Sequence, residues 1–222
     1  MKLKKTKTKY IRLAFDGYSA SGKSLAAKLI SKKYKLHLLN SGLLYRYAAF
    51  LIIKNKPKNK ISFLKKKFKN LSYKIVTRMN LHNEEISSYA SIIAKQKKVR
   101  DILKEFQKKF AKKYKKIAIE GRDIASKIMP NADLKIFFKC SVKEKAKRRL
   151  QEFKKINKKV TLKEVEKSLK TRDFNDKNRK ESPLLFTKGA VLVDTTNLNL
   201  QQMRSKLKKL VQGEIKKKNG SL

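Results

Sequence analysis

Apolar positions along the chain follow two rhythms. The runs "YIRLAF", "LHLLNSG", "KIAIEGRD", "ADLKIFFKC" and "AVLVDTT" carry short, nearly continuous apolar stretches, the mark of strands buried on both faces. Between them, Leu25, Ala26, Leu29 and Ile30 recur at helical spacing in "KSLAAKLISKKYK". Helical stretches also appear in "LLYRYAAFLIIK", in a pair from about Ile86 to Lys115, and in "VKEKAKRRLQEFKK", "TLKEVEKSLKTRDFNDKNR" and "NLQQMRSKLKKLVQ". The stretch "NKPKNKISFLKKKFKNLSYKIVTRMNLHNEE" has weaker periodicity and holds the first proline, so it reads as an insertion with a little strand character. A loop with Pro130 separates the third and fourth strands. Strands alternating with helices predict βα units, a parallel doubly wound sheet and a three-layer α/β/α fold.

Charge changes the picture of the surface more than that of the core. The chain has 222 residues, 61 Lys and Arg against 17 Asp and Glu, and a net charge of +44. A hydrophobic fraction of 40% is ordinary for a folded protein. The basic residues run from end to end and are mostly lysine, the pattern of a solvated surface rather than of one placed nucleic-acid site. Non-specific binding of polyanions, weakening as salt rises, is expected. Residues 1–9 and 215–222 read as basic tails.

Cys140 is the one cysteine, which excludes an intrachain disulfide and a cysteine-based zinc site. His37 and His82 lie far apart and read as structural or surface residues. No apolar stretch nears the roughly 18 residues of a membrane span, and Arg12 and Asp16 interrupt the first apolar run, as no signal peptide would. A cytoplasmic protein without a membrane partner is expected.

Candidate chemistry concentrates in "DGYSASGKSL". Gly17 and Gly22 frame Tyr18, Ser19, Ala20 and Ser21, and Lys23, Ser24 and Leu25 follow. This is the phosphate-binding G-x-x-x-x-G-K-[ST] pattern, placed between a strand and an amphipathic helix. Small residues let backbone N–H groups surround a phosphate, and the helix start adds unpaired donors and a favourable dipole. Lys23 is then placed to reach the β- and γ-phosphates of ATP, and the Ser24 hydroxyl to ligate Mg²⁺. Such loops serve ATPases, GTPases and kinases alike, and no N-K-x-D is present. The arginines stand out in so lysine-rich a chain, because planar bidentate donors suit phosphates.

The ordered set "DGYSASGKS", "NSGLLYR", "SIIAKQKKVR", "EGRDI" and "RDFNDKNR" followed by Ser182-Pro183-Leu184 resembles the bacterial cytidylate kinase family, from about Tyr10 to Val211. The resemblance implies magnesium-dependent transfer of the ATP γ-phosphoryl group to CMP or dCMP. It implies that Arg46, Arg122 and Arg179 meet the acceptor phosphate, with Ser41 and Tyr45. By the same resemblance Ser91, Arg100 and Asp123 read the base and Asp176 holds the ribose hydroxyls. Arg148, in the segment similar to the family's lid, and Arg172 would reach the transferring phosphate. The resemblance sets a single domain at 10–214, with a shortened nucleotide-acceptor insertion at about 54–90 and a helical lid at about 146–183. The protein is expected to act as a monomer. Tyr18 stands where the family usually has Pro, Leu25 where it has Thr, and Asn40 where it has an acidic residue. Two alternatives stay open: a kinase of another nucleoside monophosphate such as UMP, and a polyanion-binding protein with a vestigial loop.

Overall fold

The computed structural model describes residues 10–154 and 159–220. The predicted basic tail at 1–9, four residues of the expected lid (155–158) and residues 221–222 lie outside the described residues. In chain order the elements are β1 (Ile11–Gly17), α1 (Lys23–Tyr34), β2 (His37–Asn40), α2 (Ser41–Asn55), α3 (Lys60–Lys69), α4 (Tyr73–Arg78), α5 (Glu84–Ile93) and α6 (Lys97–Lys113). They continue as β3 (Lys116–Glu120), a π-helical turn (Ile124–Ile128), β4 (Leu134–Lys139), α7 (Val142–Lys154), α8 (Leu162–Asn178), β5 (Ala190–Asp194) and α9 (Leu200–Gly220).

The five strands among the described residues pair in parallel, in the order β2-β3-β1-β4-β5. Side chains alternate across this sheet and feed two cores. Leu13, Phe15, Ala118, Ile136 and Phe138 face α1 and α9. Ala14, Leu39, Ile117 and Ile119 face α2, α6 and the insertion helices. A third, smaller cluster of Ala146, Val165 and Leu169 joins α7 to α8. β1 lies between β3 and β4, so the chain reverses direction around it, and the carboxyl ends of the strands open onto one crevice.

The strand character read into the insertion is not there. Its segments form α3, α4 and α5 instead. Ile61, Leu64 and Phe68 lie at helical intervals, and Leu64 and Phe68 are buried. Asn59 accepts the N–H of Ser62 to start α3, and Asn83 accepts that of Ile86 to start α5. The other end of the chain also differs from expectation. Met203, Leu207, Val211 and Ile215 continue one buried stripe, which keeps residues 215–220 in helix rather than in a tail.

Candidate active site

The loop after β1 owes its shape to contacts that small residues permit. Gly17 has φ +146°, and a Cβ there would run into the backbone of Phe138 on β4. Tyr18, where the resembling family has Pro, uses its N–H to donate to Phe138 O at 3.2 Å. Gly22, at φ +84°, caps α1 and turns the chain so that Lys23 opens the helix. Ser21 Oγ donates to Tyr18 O at 2.8 Å, and Ser21 O accepts from Thr195 Oγ1 at 3.0 Å. Leu25 is exposed, so it brings only its backbone to the loop.

Lys23 is buried, and its Nζ donates to Tyr18 O at 3.1 Å. Burial, reinforced by the Arg122 guanidinium, pulls its pKa down to about 7. A dianionic phosphate in the loop would restore its charge. Ser24 Oγ donates to Glu120 Oε2 at 2.7 Å, setting a hydroxyl beside a carboxylate at the end of β3. This oxygen pair suits Mg²⁺, which takes one or two protein ligands and fills its shell from phosphates and water. Among the described residues no cluster of three or more His, Cys, Asp or Glu could hold a metal alone.

Beside the loop lies a cavity of about 720 Å³, lined by Ser41, Tyr45, Arg46, Ser91, Arg100, Arg122, Asp123, Arg172, Asp176 and Arg179. Residues read as acceptor ligands from four separate motifs therefore share one wall system. Its deep end is the Arg100–Asp123 pair, Nη2 to Oδ2 at 2.6 Å, with both side chains buried. Arg100 also donates to Ala94 O at 3.1 Å and lies over the Tyr45 ring. Among the described residues, Arg100 Nε, Tyr45 OH and Arg179 Nη2 are buried without a hydrogen-bond partner. Buried donors of this kind call for an acceptor.

Toward the loop the cavity turns cationic. Arg122 donates to Asp176 Oδ2 at 2.7 Å, to Ser19 Oγ at 3.1 Å and to Gly121 O at 3.1 Å. Burial works against its charge, but Asp176 outweighs that and raises the pKa further. Arg179 reaches Asp176 Oδ1 at 3.2 Å and Ser182 O at 2.8 Å. Asp176 is thus held by two guanidiniums, which keep its carboxyl below the usual range despite burial. Burial, then Arg122, lowers Arg172 to about 10. Arg46 rests on Ser87 Oγ at 3.3 Å. Ser91 turns its hydroxyl back to Ser87 O at 3.1 Å. Ser41 opens α2, where Asn40 Oδ1 accepts the N–H of Leu43 at 3.1 Å, a cap that needs no charge.

The two arginines of α7 part company. Arg148 lies outside the cavity, bonded to Glu144, to Thr195 O at 2.7 Å and to Thr195 Oγ1 at 3.2 Å, close to Gly22. Arg149 instead lines the cavity, its guanidinium 4.8 Å from the Phe153 ring centre. Below them Lys145 and Asp173 form a buried ion pair between α7 and α8, and Asp173 Oδ1 accepts the N–H of Ser19 at 2.8 Å. Glu120, Arg149 and Asp173 were not foreseen as site residues. Glu120 stands inside the quoted "EGRDI" motif, which was the signal available for it.

Comparison with known proteins identifies the family. A family model described as cytidylate kinase matches residues 13–213. The cytidylate kinase of Mesomycoplasma hyopneumoniae is 37% identical over 215 residues, spanning 91% of this chain and 94% of its own. That of Clostridium tetani is 34% identical over 223 residues, spanning 96% and 98%. Solved structures of an uncharacterized protein from Eubacterium ventriosum and of a Thermus thermophilus protein superpose with TM-score 0.53 at 16% and 15% identity, each covering 93% of this chain and 98% of the other. At those identities they show a shared fold alone. The family match and the relatives settle membership: the chain belongs to the cytidylate kinase family.

Proposed function

We propose that the protein transfers the γ-phosphoryl group of ATP to CMP, giving CDP and ADP. An oxygen of the acceptor phosphate bonds to the γ-phosphorus as the bond to the β,γ-bridging oxygen breaks, and ADP leaves with that electron pair. The observation that carries the reading is one cavity with a paired Arg100–Asp123 at one end and Arg46, Arg122, Arg172 and Arg179 toward the phosphate loop.

The polarity of the deep end favours cytosine. Asp123 offers carboxylate lone pairs to the N4 amino group, and the unpartnered Nε of Arg100 can donate to a ring acceptor. Uracil reverses the edge, presenting a carbonyl to Asp123 and an N–H where Arg100 donates, so groups would be left unpaired. Ser91 completes that end. Arg46, Arg122 and Arg179, with Ser41 and Tyr45, are assigned to the acceptor phosphate, and Asp176 to the ribose hydroxyls. dCMP is a second acceptor, since it shares the base and the phosphate with CMP.

Transfer needs little proton chemistry, and the residues act mainly by position and charge. The backbone from Gly17 to Leu25 and Lys23 hold the ATP phosphates, and Arg172 meets the transferring group from α8. Arg148, beside Gly22, is assigned to the donor side, and Arg149 to the acceptor side. Magnesium, held by Ser24 and Glu120 when bound, would neutralise charge on the donor phosphates. Closure of α7 and α8 over the cavity would exclude water from the γ-phosphate.

The protein is taken as a cytoplasmic monomer. No helix among the described residues is long and apolar enough to cross a membrane. Its charge of +44 gives non-specific attraction to polyanions, stronger as salt falls, rather than a dedicated nucleic-acid site. The test is an acceptor panel of CMP, dCMP, UMP, AMP and shikimate with ATP. Fastest ADP release with CMP supports the assignment, and a faster non-cytidine acceptor overturns it.

A further inference from the structure

Asp16 is the penultimate residue of β1 and is 3% exposed, yet it forms no ion pair among the described residues. Its two oxygens are spent on backbone amides far along the chain. Oδ1 accepts from Ile124 N at 2.9 Å and Oδ2 from Ala125 N at 2.7 Å. Those amides open the π-helical turn Ile124–Ile128, whose capping position is Asp123. An aspartate there would ordinarily turn its own carboxylate onto the first amides of the turn. Asp123 makes no such bond, and its carboxylate goes to Arg100 instead.

The same strand end grips the segment a second time, since Gly121 N donates to Phe15 O at 2.9 Å. Arg122 and Asp123 are thereby held between two anchors on β1. One points toward Ser19 and Asp176, the other toward Arg100.

We propose that Asp16 is a positioning residue for base selection: by capping the turn after Asp123 from another strand, it frees the Asp123 carboxylate to face the acceptor base. The proposal rests on the cytidylate reading above and deepens it. Burial of an unpaired carboxylate is unfavourable, and that burial raises the pKa of Asp16 to about 6. The two backbone hydrogen bonds offset that penalty, and only a carboxylate, with an acceptor oxygen for each amide, makes both. Asparagine, nearly the same shape, has one acceptor oxygen and would turn an amide N–H₂ toward a backbone donor. One of the two amides would then be free to recapture Asp123.

The experiment compares wild type with Asp16→Asn for CMP and UMP kinetics, ATP binding by calorimetry and thermal melting. Wild type must first prefer CMP; if it does not, the cytidylate reading itself fails, whatever the variant does. Given that preference, D16N is expected to raise KM for CMP about ten-fold or more and to cut the CMP-over-UMP ratio similarly, the effect of one unpaired buried polar group. ATP affinity is expected to stay within about three-fold of wild type, under 1 kcal/mol by the affinity relation. An unchanged KM and ratio overturns the proposal. So does a loss shared equally by CMP, UMP and ATP, which marks a merely structural role. If D16N does not fold, Asp16→Ser, smaller and with one acceptor oxygen, is read by the same two ratios.

Discussion

Arg100 and Asp123 meet at 2.6 Å in the deep end of the cavity, with the arginine side chain 1% exposed. Removing either partner leaves a charge buried without compensation. Asp123→Ala is therefore expected to destabilise the fold by about 3–5 kcal/mol, measured by denaturant unfolding. Asp123→Asn keeps the shape and is the better probe of recognition. It is expected to cut the CMP-over-UMP preference about ten-fold while leaving KM for ATP alone. Equal preference in wild type and variant would remove Asp123 from base reading.

Lys23 titrates near neutrality, at about 7, because it is buried beside Arg122. Its charged form is lost in the free enzyme as pH rises through that value and restored when phosphates bind. ATP binding should thus take up nearly one proton at pH 8 and about a tenth of one at pH 6, with affinity falling up to about ten-fold per unit above pH 7. Calorimetry in buffers of differing ionisation heat reads the uptake. Lys23→Ala should abolish it and reduce turnover by several orders of magnitude, with a thermal melt like that of wild type. Uptake that persists in K23A would assign the proton elsewhere.

Glu120 reaches the Ser24 hydroxyl across 96 positions of sequence. Glu120→Gln is expected to raise the magnesium concentration for half-maximal activity about 10–100-fold, with saturating magnesium recovering much of the rate. A magnesium dependence identical to wild type would take Glu120 out of the metal site.

Lys145 and Asp173 tie α7 and α8 to the loop after β1 through Ser19 N. Either single apolar substitution, Lys145→Met or Asp173→Leu, should destabilise by about 3–5 kcal/mol, and the double variant by clearly less than their sum. Additive losses would show that the pair is not coupled.

The sheet was readable from sequence because parallel strands buried on both faces leave uninterrupted apolar runs, as "LKIFF" does. The loop was readable because the phosphate-binding pattern is local. The insertion was misread because lysines fill the gaps between Ile61, Leu64 and Phe68 and hide a helical interval in a basic stretch. Arg46, Arg100, Arg122, Arg172 and Arg179 were named from motifs and Arg149 was not, whereas Asp16, Glu120 and Asp173, though inside quoted motifs, act through partners 96 to 154 positions away. No local pattern encodes such a distance. Arg148 and Arg149 show the finer limit, since neighbours on a helix point about 100° apart and only the packing of α7 decides which one meets the cavity.

Phosphorus NMR of one reaction mixture tests the central claim most directly: protein, magnesium, ATP and CMP, followed to completion. The account predicts that ADP and CDP grow in equal amounts, with the γ-phosphorus of ATP becoming the β-phosphorus of CDP and little inorganic phosphate. Release of inorganic phosphate alone, or ATP left intact beside CMP, would contradict it.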